Sequence, residues 1–86
     1  MDLQSRLDEL IRIAEELGLA IRRVPMGGEG GGFCVIKGER RLFVDTMADL
    51  ETRYERTLEA LAGIPEIESL YVRPEVRADM ERVKSE

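Results

Sequence analysis

Apolar positions recur at spacings of three and four from Leu3 to Leu17 (Leu3, Leu7, Leu10, Ile11, Ala14 and Leu17), which predicts a helix with one buried stripe. Asp2 stands where an N-cap is wanted, and Gly18 can end the helix in a left-handed conformation. Asp8 and Arg12, four apart, are expected to pair on the wet face. The period then changes. Leu19-Ala20-Ile21-Arg22-Arg23-Val24 is short, partly β-branched and stopped by Pro25, so it predicts a strand at a sheet edge. The glycine-rich run that begins at Gly27 reads as a flexible connection.

Phe33-Cys34-Val35-Ile36-Lys37 and Arg40-Arg41-Leu42-Phe43-Val44 flank Gly38-Glu39, the pattern of a β-hairpin with glycine first in a two-residue turn. That register sets Val35 against Leu42 and Phe33 against Val44 on one face. On the other it sets Cys34 against Phe43 and Ile36 against Arg41. Both faces carry large apolar groups, so a cover is expected on each: helices on one, and either the last segment or a second copy of the chain on the other. Asp45-Thr46 is expected to cap a second helix with the stripe Met47, Leu50, Tyr54, Leu58 and Leu61, ended by Gly63 and Pro65. Ile67 to Val72 fits either a helical turn or a short strand. Pro74 suits the first turn of a final helix carrying Val76, Met80 and Val83. The expected fold is therefore α+β, one domain over residues 1–86: a helix, a three-stranded antiparallel sheet with a central hairpin, a helix, a short linking element and a C-terminal helix.

The chain has 86 residues, 36% of them charged, with a net charge of −5. A domain this small buries only about 60–65% of the surface its unfolded form exposes, so its core is thin and a shared surface would help it. The charge is uneven. Leu19 to Val44 carries +3 and the remainder −8. A net acidic chain is a poor partner for nucleic acid, whose binding rests on a basic field. No apolar run reaches the ~20 residues of a membrane span. The start, Met1-Asp2-Leu3-Gln4-Ser5-Arg6, is unlike a signal peptide, and the one cysteine allows no internal disulfide; together these lead to the expectation of a cytoplasmic protein.

Histidine is absent. That removes Ser-His-Asp and Cys-His nucleophilic sites and His-rich zinc sites, and a single cysteine removes thiolate zinc clusters. Asp45, Asp49 and Glu51 lack calcium-loop spacing and are better read as carboxylates near a helix start. The glycine run is followed by no Gly-Lys-Ser/Thr, and the dinucleotide pattern fails at Phe33. No metal, cofactor or catalytic constellation is expected, and the chain is not read as an enzyme. Cys34, between apolar neighbours, reads as a small buried hydrophobe, or as a reactive thiol if basic neighbours stabilise a thiolate. Lys37, Arg40 and Arg41 at the hairpin, joined by Arg22 and Arg23, are either solvated and paired or a docking patch for an acidic segment or a phosphorylated ligand.

The stretch Gly32-Phe33-Cys34-Val35-Ile36-Lys37-Gly38-Glu39-Arg40-Arg41-Leu42-Phe43-Val44-Asp45, with Pro74-Glu75-Val76-Arg77, resembles a group of short bacterial proteins of uncharacterised function. They share a glycine pair, a cysteine two residues on, a basic-Gly turn, an apolar strand ending in Asp and a Pro-x-Val-Arg segment. The hairpin-then-helix order also resembles the minimal zincin domain of ImmA/IrrE-type peptidases. Glu59 would then match that family's helical glutamate, with both histidines missing, which implies a metal-free remnant with a regulatory role. Three expectations of function follow. The leading one is a protein-binding or self-assembly module, a homodimer in contact through Phe33, Cys34, Ile36 and Phe43. The second is a small-ligand or phosphate-binding site, or an enzymatic one, at Cys34 and the hairpin arginines. The third is a regulatory partner that presents acidic helices or a basic tip to another protein.

Overall fold

The computed structural model describes residues 1–86. Helix α1 (Leu3–Glu16) is followed by strands β1 (Ala20–Val24), β2 (Gly31–Ile36) and β3 (Glu39–Asp45), helix α2 (Leu50–Ala62), a 3-10 turn (Pro65–Ser69) and helix α3 (Pro74–Ser85). The α+β class and the element order agree with the sequence. The Asp2 carboxylate accepts from the Ser5 amide at 2.8 Å and caps α1 as expected. Pro74 opens α3, where its missing N–H costs nothing. The ambiguous stretch resolves into the 3-10 turn and an extended passage to α3.

The sheet corrects two expectations. Its order is β1-β3-β2, with β1 parallel to β3 and β2 antiparallel to it, so it is mixed and not antiparallel throughout. In chain order the three strands alternate in direction, but the neighbours β1 and β3 run the same way. β1 pairs with the third and not the second, because β3 carries Leu42 and Val44, both buried, and gains cover from a strand on each side. β1 lies at an edge, as its length and Pro25 predict. The hairpin turn is Lys37-Gly38, with φ of 52° and 79°, one residue earlier than the sequence suggests. Positive φ at both positions gives the turn whose twist matches that of paired strands. Phe33 therefore stands opposite Leu42, Cys34 opposite Arg41, Val35 opposite Arg40 and Ile36 opposite Glu39.

A third correction concerns α2. Its cap is Asp49, whose carboxylate accepts from the Thr52 amide at 2.8 Å, and the helix starts at Leu50. Asp45 is engaged elsewhere. On α1, Arg12 bonds Glu9 and Glu16 and not Asp8, which accepts from Gln4.

All three helices lie on one side. Leu7, Leu10, Ile13 and Ala14 of α1, Tyr54, Leu58 and Leu61 of α2, and Val76 and Met80 of α3 form one buried cluster with Leu42 and Val44 of β3. The last segment thus joins the helix layer and does not cross to the far face. Because side chains alternate along a strand, Arg41 and Phe43 must point the other way, and so must their neighbours Ala20, Arg22, Gly32 and Cys34. No helix covers that face.

Candidate functional site: the exposed strand and the glycine loop

The exposed large apolar side chains of the sheet gather on β2. On the helix side α2 packs against β2, yet Phe33 and Val35 remain 37% and 56% exposed. On the uncovered side, Cys34 and Phe43 are half-buried and Ile36 is 38% exposed. The four expected contact residues are thus divided: Cys34, Ile36 and Phe43 share the open face, and Phe33 stands on the opposite one. Gly32, beside Phe43, leaves open space where a side chain would be. From Gly30 to Ile36 the strand holds no charge and no proline.

The expected cationic patch is split. Arg40 turns to the helix side, forms an ion pair with Glu66 at 2.9 Å and donates to the Leu17 carbonyl. Arg41 lies on the open face, paired with Glu39 at 2.8 Å. Lys37 is exposed at the turn, in no ion pair within the chain. Arg22 is on the open face and Arg23 on the other. Only Arg22 and Arg41 share a face with Cys34.

The residue that sequence reasoning misplaced is Asp45. Its carboxylate is fully buried and accepts four backbone amides: Met26 at 2.8 Å and Met47 at 2.9 Å on Oδ1, Gly28 at 2.6 Å and Gly30 at 3.1 Å on Oδ2. No cation touches it. Burial works to raise its pKa, but the four amide donors outweigh burial and hold it down to about 2. The glycine run is therefore an organised loop of converging amides, the arrangement that elsewhere receives an anion, filled here by the chain's own carboxylate. An Asp directly after an apolar strand, with glycines upstream, was the available signal.

A second polar cluster sits at the junction of the three helices. The Tyr54 hydroxyl donates to Asp79 at 2.6 Å, and Arg6 donates to the same oxygen at 2.9 Å. Burial, and then the bond to Asp79, push the Tyr54 hydroxyl well above its ordinary pKa. Nearby, Glu9 is buried. It pairs with Arg12 and accepts the Arg73 amide at 3.0 Å, and these contacts, Arg12 foremost, lower its pKa. They line a shallow cleft of about 390 Å³ with Met1, Ser5 and Asp8. With Glu9 and Arg12 bonded to each other, the cleft is best explained as a helix-joining contact.

No three His, Cys, Asp or Glu side chains converge to hold a metal ion. Glu59 is exposed and pairs with Arg56 across one turn of α2. No helix is long and apolar enough to cross a membrane. Set against known protein families, curated proteins and solved structures, the chain matches none of them. What defines the molecule is therefore its own geometry: a two-layer α+β fold whose sheet has one face without helices and β2 at a free edge.

Proposed function

We propose that this chain is a self-assembly module, a homodimer of cytoplasmic setting, that binds through its sheet. The observation that carries this reading is the exposure of β2 on three sides: Phe33 and Val35 on one face, Cys34 and Ile36 on the other, and the strand edge between them. Apolar side chains gathered this way on a small domain mark an interaction surface. A thin core gives the same surface a second use, because association adds burial that a chain of this length lacks. Light scattering on the purified chain tests it. At about 100 µM, which populates any dimer of micromolar Kd, the expected mass is twice the 9.8 kDa of the chain. A mass of 9.8 kDa at that concentration would overturn it.

A second reading is an anion or thiol site, favoured by the direct cross-strand register of Cys34 and Arg41. The thiol is half-buried on the open face, beside the Arg41 guanidinium that Glu39 also holds at 2.8 Å. Labelling of Cys34 no faster than in the unfolded chain would overturn this second reading.

A further inference from the structure

We infer that two copies of the chain join edge to edge through β2, in antiparallel register about a two-fold axis at Cys34, making one six-stranded sheet. The inference rests on the self-assembly reading and specifies its geometry.

The hydrogen-bond parity of the hairpin sets the register. In a two-residue turn the flanking residues, here Ile36 and Glu39, form a hydrogen-bonded pair, and such pairs alternate along the ladder. The amides and carbonyls of Ile36, Cys34 and Gly32 thus face β3. The Asp45 amide, bonded to the Gly30 carbonyl at 3.2 Å, continues the same alternation. The backbone groups of Val35, Phe33 and Gly31 face away from the sheet, and no loop backbone bonds them. An unpaired row of this kind is normally blunted by charge, proline or a bulge. β1 ends in two arginines, Val24 and Pro25. β2 has none of these protections.

An antiparallel partner must set outward residues against outward residues. Pairing Phe33 with the partner's Val35 meets that rule and brings Cys34 opposite the partner's Cys34. A register centred on Phe33 meets it too, but draws Gly31 into the ladder at φ 106°, away from extended geometry. The register centred on Cys34 keeps to the regular part of the strand. It sets an aromatic beside a β-branched residue twice over, a favourable cross-strand pair.

Charge selects a second copy and disfavours stacking of open faces. Face-to-face contact would press Arg22 and Arg41 against like charges. Edge contact keeps them apart. It also brings Lys37 opposite the partner's Gly31, two residues from the partner's Glu29. Within the chain neither Lys37 nor Glu29 is in an ion pair, so the two ends of the joined strands complement each other.

The test combines light scattering with two edge variants and one cross-link. Val35→Pro removes an amide that the hairpin does not use, and Val35→Lys places a charge on the edge. Circular dichroism reports whether each still folds, and Val35→Lys decides if the proline variant does not. Edge pairing is expected to show a wild-type dimer that weakens at least about tenfold in both folded variants. Diamide should join the wild-type dimer through Cys34: two thiols lose two protons and two electrons, one S–S bond forms, and diamide is reduced to its hydrazine. A wild-type dimer that survives Val35→Lys, or gives no cross-link, would overturn edge pairing and leave self-assembly standing through another surface. A wild-type monomer at about 100 µM would overturn both.

Discussion

Asp45 and Gly30 hold each other twice: the Gly30 amide donates to the Asp45 carboxylate at 3.1 Å, and the Asp45 amide donates to the Gly30 carbonyl at 3.2 Å. One residue thus serves as the end of β3 and as the fixed point of the loop that starts β2. Asp45→Asn keeps the size of the side chain but turns an NH2 group toward amide donors. The variant is expected to lose amide-exchange protection at Gly28 and Gly30 and to melt about 5–10 °C lower. Unchanged protection at those two amides would show that the loop does not depend on the carboxylate.

The same carboxylate dictates an acid response. Its folded pKa of about 2 lies below the ordinary 3.8, so the unfolded chain binds the proton first as pH falls. Its contribution to stability is fully present above about pH 4 and is lost as pH drops toward 2. Denaturant titrations between those values should show wild-type stability falling more steeply than that of Asp45→Asn.

Gly31 and Gly32 are adjacent and should respond oppositely to alanine. A Cβ at Gly31 would stand 2.0 Å from the Phe43 carbonyl oxygen, at a backbone φ of 106°. Gly31→Ala is expected to cost about 3 kcal/mol or more. At Gly32 a Cβ meets nothing within 4 Å and φ is ordinary, so Gly32→Ala should stay within about 0.5 kcal/mol of wild type. Urea unfolding of the pair reads both.

Thr57 is buried in α2 with a hydroxyl that has no partner. Thr57→Val replaces it with a methyl of the same shape and should raise stability by about 1 kcal/mol. The urea midpoint should move up with no change in slope.

Tyr54 and Asp79 join α2 to α3, and Arg6 adds α1. Tyr54→Phe is expected to cost about 1 kcal/mol, and a double-mutant cycle with Asp79→Asn should give a coupling energy distinct from zero. With the Tyr54 pKa raised above its ordinary 10, the stability it contributes is present below about pH 10 and lost at higher pH as the folded hydroxyl ionises.

The helices were legible because their signal is local. The stripes Leu7-Leu10-Ala14, Tyr54-Leu58-Leu61 and Val76-Met80 are the residues that pack in the core. The sheet was legible only in part. Alternation shows that a segment is a strand, but the choice between β2 and β3 as the neighbour of β1 depends on which strand most needs cover. The turn was misplaced because Lys37 adopts φ 52°, a conformation that a lysine seldom advertises. Asp45 was misread for a different reason: beside Thr46 it looks like a cap, while three of its four donors, Met26, Gly28 and Gly30, lie 15 to 19 residues upstream in and just before the glycine run. The division of the candidate contact residues between two faces follows from alternation and was legible, but their cross-strand partners required the true register.

β1 and β3 lie side by side, yet β2 and two turns separate them along the chain. β1 seats on one edge of β3 and β2 on the other, with the Lys37-Gly38 turn joining β2 to β3. A hairpin closes quickly, whereas seating α1 and β1 requires closing a longer loop. On these loop lengths the N-terminal third is expected to dock after the hairpin has formed. That third should also be first to leave: in native-state hydrogen exchange, the amides of β1 are expected to open at lower denaturant than those that join β2 to β3.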